Sequence, residues 1–367
     1  VAVGRNALGA NTTASNNVAV GEGALESNTT GDEHTAIGSK ALTANTTASR
    51  NTAVGHDSQA ATTTGSYNTS IGHRTMFVNT TGTENVAMGY VAMDANTTGN
   101  YNTGVGVNAL GGNTTGNYNT AYGWQSLLSN TTGEYNVAVG NHALDANTTG
   151  TNNTAMGSSA LTANTTGIHN VAIGAGALAA LTGNYNDNVA IGRDALNDST
   201  VNTGNIAIGA YAMAGTNSTS STQCIAIGKW AMDDASFAGY ENTAVGDTAM
   251  SAATTAFENT AFGRDALKAL TTGDNNTAIG SKAGDVTTTG SNNILIGFDA
   301  GSDALGTITT ADNYIMLGNN NTTNAEIKVD WTIASDQRDK TDIETLPDNA
   351  GLNFVNQMRP VTYVWDN

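Results

Sequence analysis

The sequence predicts an all-β fold, a parallel β-solenoid of about nineteen coils of roughly 17 residues, and three observations carry the prediction. A glycine recurs every 17 residues from Gly4 to Gly174, then at Gly192, Gly209, Gly228, Gly246, Gly263, Gly280, Gly297 and Gly318 with looser spacing. The residue three before that glycine is β-branched in every copy, from Val1 and Val18 through Thr35 to Ile315, which favours a strand over a helix. Finally, 43 Gly, 2 Pro, 6% aromatic and 12% charged residues in a chain of 367 leave too few bulky side chains for a thick core.

The glycine-centred strand is the first element of each coil. One clean copy runs from Asn136 through Val137-Ala138-Val139-Gly140 to Asn147-Thr148-Thr149-Gly150. Strand side chains alternate, so Val137 and Val139 share one face and Ala138 points to the other. The alanine position is small in nearly every copy, with Ser70 and Gly104 as substitutes and Leu295 and Met316 as the large exceptions. Such a position lets another surface approach closely. The Ala-Leu or Ala-Met pair after the glycine, as at Ala24-Leu25 and Ala231-Met232, supplies an opposing apolar layer.

Seventeen residues are too few for a helical repeat and suit one solenoid turn, which buries its apolar face only by stacking on its neighbours. At about 4.8 Å between adjacent parallel strands, nineteen coils would span roughly 85–90 Å. The function implied is reach.

The asparagines form the second element. Asn stands four residues before the glycine in most copies, as at Asn17, Asn51, Asn68, Asn85, Asn102 and Asn119, and a second Asn opens each Asn-Thr-Thr-Gly turn. In register, these columns become ladders in which each amide donates to and accepts from its neighbours. The turn glycine, as at Gly31 or Gly99, is expected to supply a positive φ. The competing reading is glycosylation, because Asn28, Asn96 and Asn130 fit the Asn-x-Thr pattern. Cys224 and His34 both stand in the ladder column in place of Asn. Cys224, the single cysteine, reads as a small filler rather than a nucleophile.

Other side chains define candidate sites. Tyr67, Tyr101, Tyr118 and Tyr135 share the position five before the glycine, interrupted by Glu84. This stripe suits surface packing or a trimer contact, or stacking on a glycan. His56 and His73 fall on successive coils, where a bound cation is conceivable, but His142 and His169 have no partner at zinc-ligand spacing. The acidic residues follow no calcium-loop pattern and read as solvated surface. They are scattered over repeat positions, which argues against a carboxylate pair of the sugar-cleaving kind. No cofactor is implied.

A formal charge of −18 argues against nucleic acid and anionic membrane surfaces as partners. No apolar run reaches the ~18 residues of a membrane span. The chain opens at Val1 inside a repeat, so a longer parent protein is expected.

Residues 1–325 form the repeat shaft, 326–334 a connector, and 335–367 the start of a different module. Leu352, Val355 and Met358 have helical spacing, Pro360 ends that run, and Val361-Thr362-Tyr363-Val364-Trp365 reads as a strand. The segment Trp331-Thr332-Ile333-Ala334-Ser335-Asp336-Gln337-Arg338-Asp339-Lys340-Thr341-Asp342-Ile343, with Gly351-Leu352-Asn353-Phe354-Val355 and Met358-Arg359-Pro360-Val361-Thr362-Tyr363-Val364-Trp365, resembles the start of an intramolecular chaperone domain. That α+β domain closes phage tail fibres, endosialidase tailspikes and related fibres. The resemblance implies trimer assembly and a single self-cut at Ser335-Asp336, with Ser335 as nucleophile and Lys340 as its base.

The repeat itself is similar to the heads of trimeric autotransporter adhesins, whose coils carry a core like Val171-Ala172-Ile173-Gly174. That similarity implies a left-handed β-roll with three chains around an axis. Together these resemblances imply a non-enzymatic homotrimeric tail fibre or spike on the virion tail, with a host receptor or glycan and other tail proteins as partners. The alternative is an adhesin or extracellular filament at the bacterial cell surface.

Overall fold

The structure, a computed structural model, describes residues 1–198, 203–215, 221–234, 236–303 and 306–324. The chain divides into two compact units, Val1–Thr322 and Thr323–Asn367. The connector and the expected helix and strand of the terminal module lie outside the described residues.

The first unit is a parallel β-solenoid, and no helix occurs among the described residues. Each coil contributes one strand of two or three residues, such as Val137–Val139, centred on the small residue of the repeat. Nineteen such strands form one sheet in which each pairs in parallel with the next in sequence. The register matches repeat positions: Thr154 faces Val137, Ala155 faces Ala138 and Met156 faces Val139. The register holds across the longer spacing between Gly209 and Gly228, where Ala207 faces Ala226. The four extra residues between Gly297 and Gly318 are absorbed around a small antiparallel pair, Ser302–Asp303 with Gly306–Thr307.

The sharp turns of the coil require unusual backbone. Leu144 (φ 55°), His142 (φ 54°) and Tyr135 (φ 57°) are left-handed, and the same three repeat positions recur in nearly every coil. Such residues carry a conformational cost of ~1–3 kcal/mol each. Hydrogen bonds between coils offset it, as when Leu144 N–H donates to Ala160 O at 3.0 Å.

Gly140, at φ 138°, shows why the repeat glycine cannot change. A Cβ there would lie 2.4 Å from the carbonyl oxygen of Gly157 in the next coil. The turn glycine differs from expectation. Gly99 is absent from the positive-φ residues, and its constraint is space: a Cβ would meet Asn96 Oδ1 at 2.4 Å and Gly116 O at 2.5 Å.

The core also corrects the assignment of faces. Ala138 points inward and is fully buried with Ala143 and Leu144, whereas Val137 and Val139 lie on the outer side and are half-buried. The surface that closely approaches the alanine column is therefore the opposite wall of the same coil. Two hydrophobic clusters fill the interior, one running from Ala19 to Ala53 and the other from Met76 onward. Between them, buried polar side chains replace the apolar filling. Ser58 Oγ lies 2.5 Å from Ser70 Oγ and 3.0 Å from Thr75 Oγ1, and Gln59 Nε2 donates to Ser70 Oγ at 2.8 Å.

Candidate functional site

The outer face of the sheet is the most extended functional feature. Along each strand the first and third residues face outward, and the third is usually Val, Ile or Met. It is aromatic at Tyr122, 59% exposed, and at Phe262, 55% exposed. Ile37, Ile71, Met88, Met156, Ile173 and Ile279 continue the same exposed apolar column. A continuous stripe of this kind marks an association surface, since solvated monomers rarely expose large contiguous apolar patches.

Sequence reasoning placed these residues together but took their face for interior. The signal was the tolerance of the position itself. It accepts Val, Ile, Met, Tyr and Phe, whereas the alternating position is nearly always Ala. Close-packed interiors resist such variation in volume.

Two bends bound the strand: the left-handed residue five before the glycine, and the glycine itself. The tyrosines occupy the first bend. Tyr101 and Tyr118 stack with centroids 4.9 Å apart and rings 3° from parallel, and Tyr118 and Tyr135 stack equally closely. Tyr67 stands apart from this stack and bonds the Arg50 guanidinium. The ring faces of Tyr118 are thus covered by its neighbours, which leaves edges and hydroxyl groups for any partner. The adjacent Glu84 carboxylate holds the Tyr101 phenol above its ordinary pKa.

A second exposed column, one residue past the glycine, contains His56, His73, Tyr90, Val107 and Trp124. His56 stacks on His73 at 5.3 Å and His73 on Tyr90 at 5.5 Å. His56 Nδ1 also lies 3.1 Å from Asp57 Oδ2. No group of three or more metal-ligating side chains occurs among the described residues.

The asparagines hold the interior. Asn130 Nδ2 donates to Asn113 Oδ1 at 2.8 Å and accepts from Asn147 Nδ2 through its own Oδ1 at 2.8 Å. In the other column, Asn119 N–H donates to Asn102 Oδ1 at 2.9 Å. Asn28, Asn96 and Asn130 are fully buried, so their amides are spent in the fold rather than presented as glycosylation acceptors.

The ladder fails where its residue changes. Asn164 Oδ1 lacks a donor because Leu181 stands in the next coil, and Asn45 Oδ1 lacks one beside Thr62. Both substituents in the strand-flanking column remain inside the fold. Cys224 accepts this role through its backbone, donating to Asn205 Oδ1 at 2.9 Å, and burial pushes its thiol up to about 11. His34 is buried and takes an N–H bond from Asn51 on Nδ1 at 3.2 Å. Its Nε2 donates to Ala48 O at 2.6 Å, the tautomer consistent with that acceptance.

Ser335, Lys340 and the Ser335-Asp336 bond lie outside the described residues. Residues 335–367 match the family model described as chaperone of endosialidase. No curated protein and no solved structure matches the chain. A β-solenoid that ends in a match to this chaperone family fits a fibre-like or tailspike-like structural protein.

Proposed function

We propose that the chain is the shaft of a homotrimeric fibre of the phage tail type, which extends from the virion and serves attachment to a host receptor or glycan. The observation that carries the reading is the exposed apolar column on the sheet face, exemplified by Tyr122, Met156 and Phe262, in a chain whose end matches a fibre chaperone family. Three such faces around a common axis would withdraw the column from water. The stacked coils supply length, and the terminal module assembles the three chains.

Self-cleavage at Ser335-Asp336 by Ser335 and Lys340 belongs to the same reading, as a maturation step with no external substrate. Sedimentation of the full-length protein tests the assembly, with a trimer expected and a stable monomer contrary to the proposal. Antibody labelling of intact phage particles tests the tail location. Intact mass of the full-length protein beside a Ser335→Ala variant tests the cut: equal masses exclude Ser335 as its nucleophile.

A further inference from the structure

The two columns at the bends border the apolar face on opposite sides, and their chemistry is complementary coil by coil. In the coil of Gly192 the first column carries Asp187 and the second Arg193; in the coil of Gly263 they carry Glu258 and Arg264. All four side chains are exposed. The coil of Gly123 has Tyr118 on one border and Trp124 on the other, and the coil of Gly72 has Tyr67 and His73.

We infer that in the assembled fibre the first column of one copy lies against the second column of the next copy, coil facing the same-numbered coil. The inference rests on the trimeric reading above and adds the residues and register of its seam. A rotation about the fibre axis keeps every atom at its own height, so a cyclic assembly brings together different columns at the same coil level. Only an interface of that heterologous kind needs opposite charges within one coil. Between the coils of Gly192 and Gly263 the first column contains three acids, Asp187, Glu241 and Glu258, and no base. Over the same span the second contains Arg193, Lys229 and Arg264 with one acid, Asp247, which lies between the levels of Lys229 and Arg264.

The bonds within each chain leave these groups available. Arg193 and Arg264 approach Asp194 and Asp265 at 3.7 and 3.6 Å, with 62% and 60% of their side chains exposed. Asp187 lies 3.4 Å from His169 Nδ1 and remains 63% exposed. The aromatic coils supply flat, adaptable contact where the charged coils supply register. A slip of one level would place Glu258 opposite Asp247, and such a like-charge contact disfavours the shifted assembly.

The test uses the full-length chain with Glu258→Cys and Arg264→Cys together, oxidised under mild conditions, beside each single variant. Sedimentation is run first on the reduced protein. A covalent three-chain species on a non-reducing gel is expected from the double variant alone, whereas Asp187→Cys with Arg264→Cys, set four coils apart, yields none. In parallel, Arg264→Glu should weaken assembly about tenfold, and adding Glu258→Arg should restore it. A reduced protein that is monomeric, or of another order, overturns the parent reading. A trimer that shows neither the cross-link nor the rescue overturns the column pairing while leaving the trimer standing.

Discussion

Asn119 and Asn130 converge on one carbonyl: the Nδ2 of each donates to Gly133 O, at 2.8 and 3.0 Å. The first asparagine comes from the strand-flanking column and the second from the turn, so the two ladders are joined inside the coil as well as between coils. Gly133 has no room for a side chain, since a Cβ would stand 2.3 Å from Asn130 Oδ1. Replacing Asn130 with Asp removes the amide that donates to Asn113 Oδ1 and Gly133 O and aims a carboxylate at both. Loss of about 1–3 kcal/mol is expected for the unsatisfied buried groups. Urea unfolding of Asn130→Asp against the parent measures it, and an unchanged midpoint and slope would show that the ladder contributes no net stability.

Thr62 offers the opposite change. It leaves Asn45 Oδ1 without a donor and receives Asn79 Nδ2 only at a long 3.4 Å. In Thr62→Asn, the new amide can donate to Asn45 and accept from Asn79. A gain of about 1 kcal/mol is expected in the same unfolding measurement.

Glycine at position 140 combines a positive φ with contact to the next coil. Gly140→Ala therefore adds backbone strain to a clash with Gly157 O, and a loss of at least ~3 kcal/mol is expected. Amide exchange would localise the damage to the coils on either side. Uniformly retained protection there would contradict the close-approach argument.

His34 sets a pH dependence. Burial lowers its pKa below the ordinary 6.5, and Nδ1 is occupied as the acceptor for Asn51 N–H. The unfolded chain consequently binds the proton more readily than the folded one. The stabilising contribution is complete above pH 6.5 and is lost as pH falls through that value toward the folded pKa. Melting temperature should fall more between pH 7 and pH 5 for the parent than for His34→Asn, since other titrating groups are common to both. Parallel curves would remove His34 as the cause.

Cys224 should resist alkylation at neutral pH, because a buried thiol raised to about 11 is almost wholly protonated. Mass spectrometry after iodoacetamide treatment is expected to show label only in urea. Rapid labelling of the folded protein would contradict the burial.

Repeat length, strand position and the two asparagine columns were legible in the sequence because stacking imposes the same constraint on every coil. Val137, Ala138 and Val139 announce an alternation by their order alone. Which side of it faced inward was decided by the tertiary structure: the two walls of a 17-residue coil lie so close that alanine, opposed by Ala143 and Leu144, fills the gap. The larger Val and Ile side chains are left outside, where their value depends on another surface.

The turn glycines show the same division. Their recurrence is a property of the sequence, but Gly99 is constrained by Asn96 and Gly116, one of them 17 residues away, rather than by its own dihedral angle. The tyrosine column was likewise visible by spacing, while the loss of ring faces in the Tyr101–Tyr118–Tyr135 stack followed only from side-chain geometry. By itself the sequence determined the period, the strand and the ladder positions, because each recurs in every stacked coil. Inside and outside were settled only by the tertiary structure, because they depend on the distance between walls that sequence spacing does not contain.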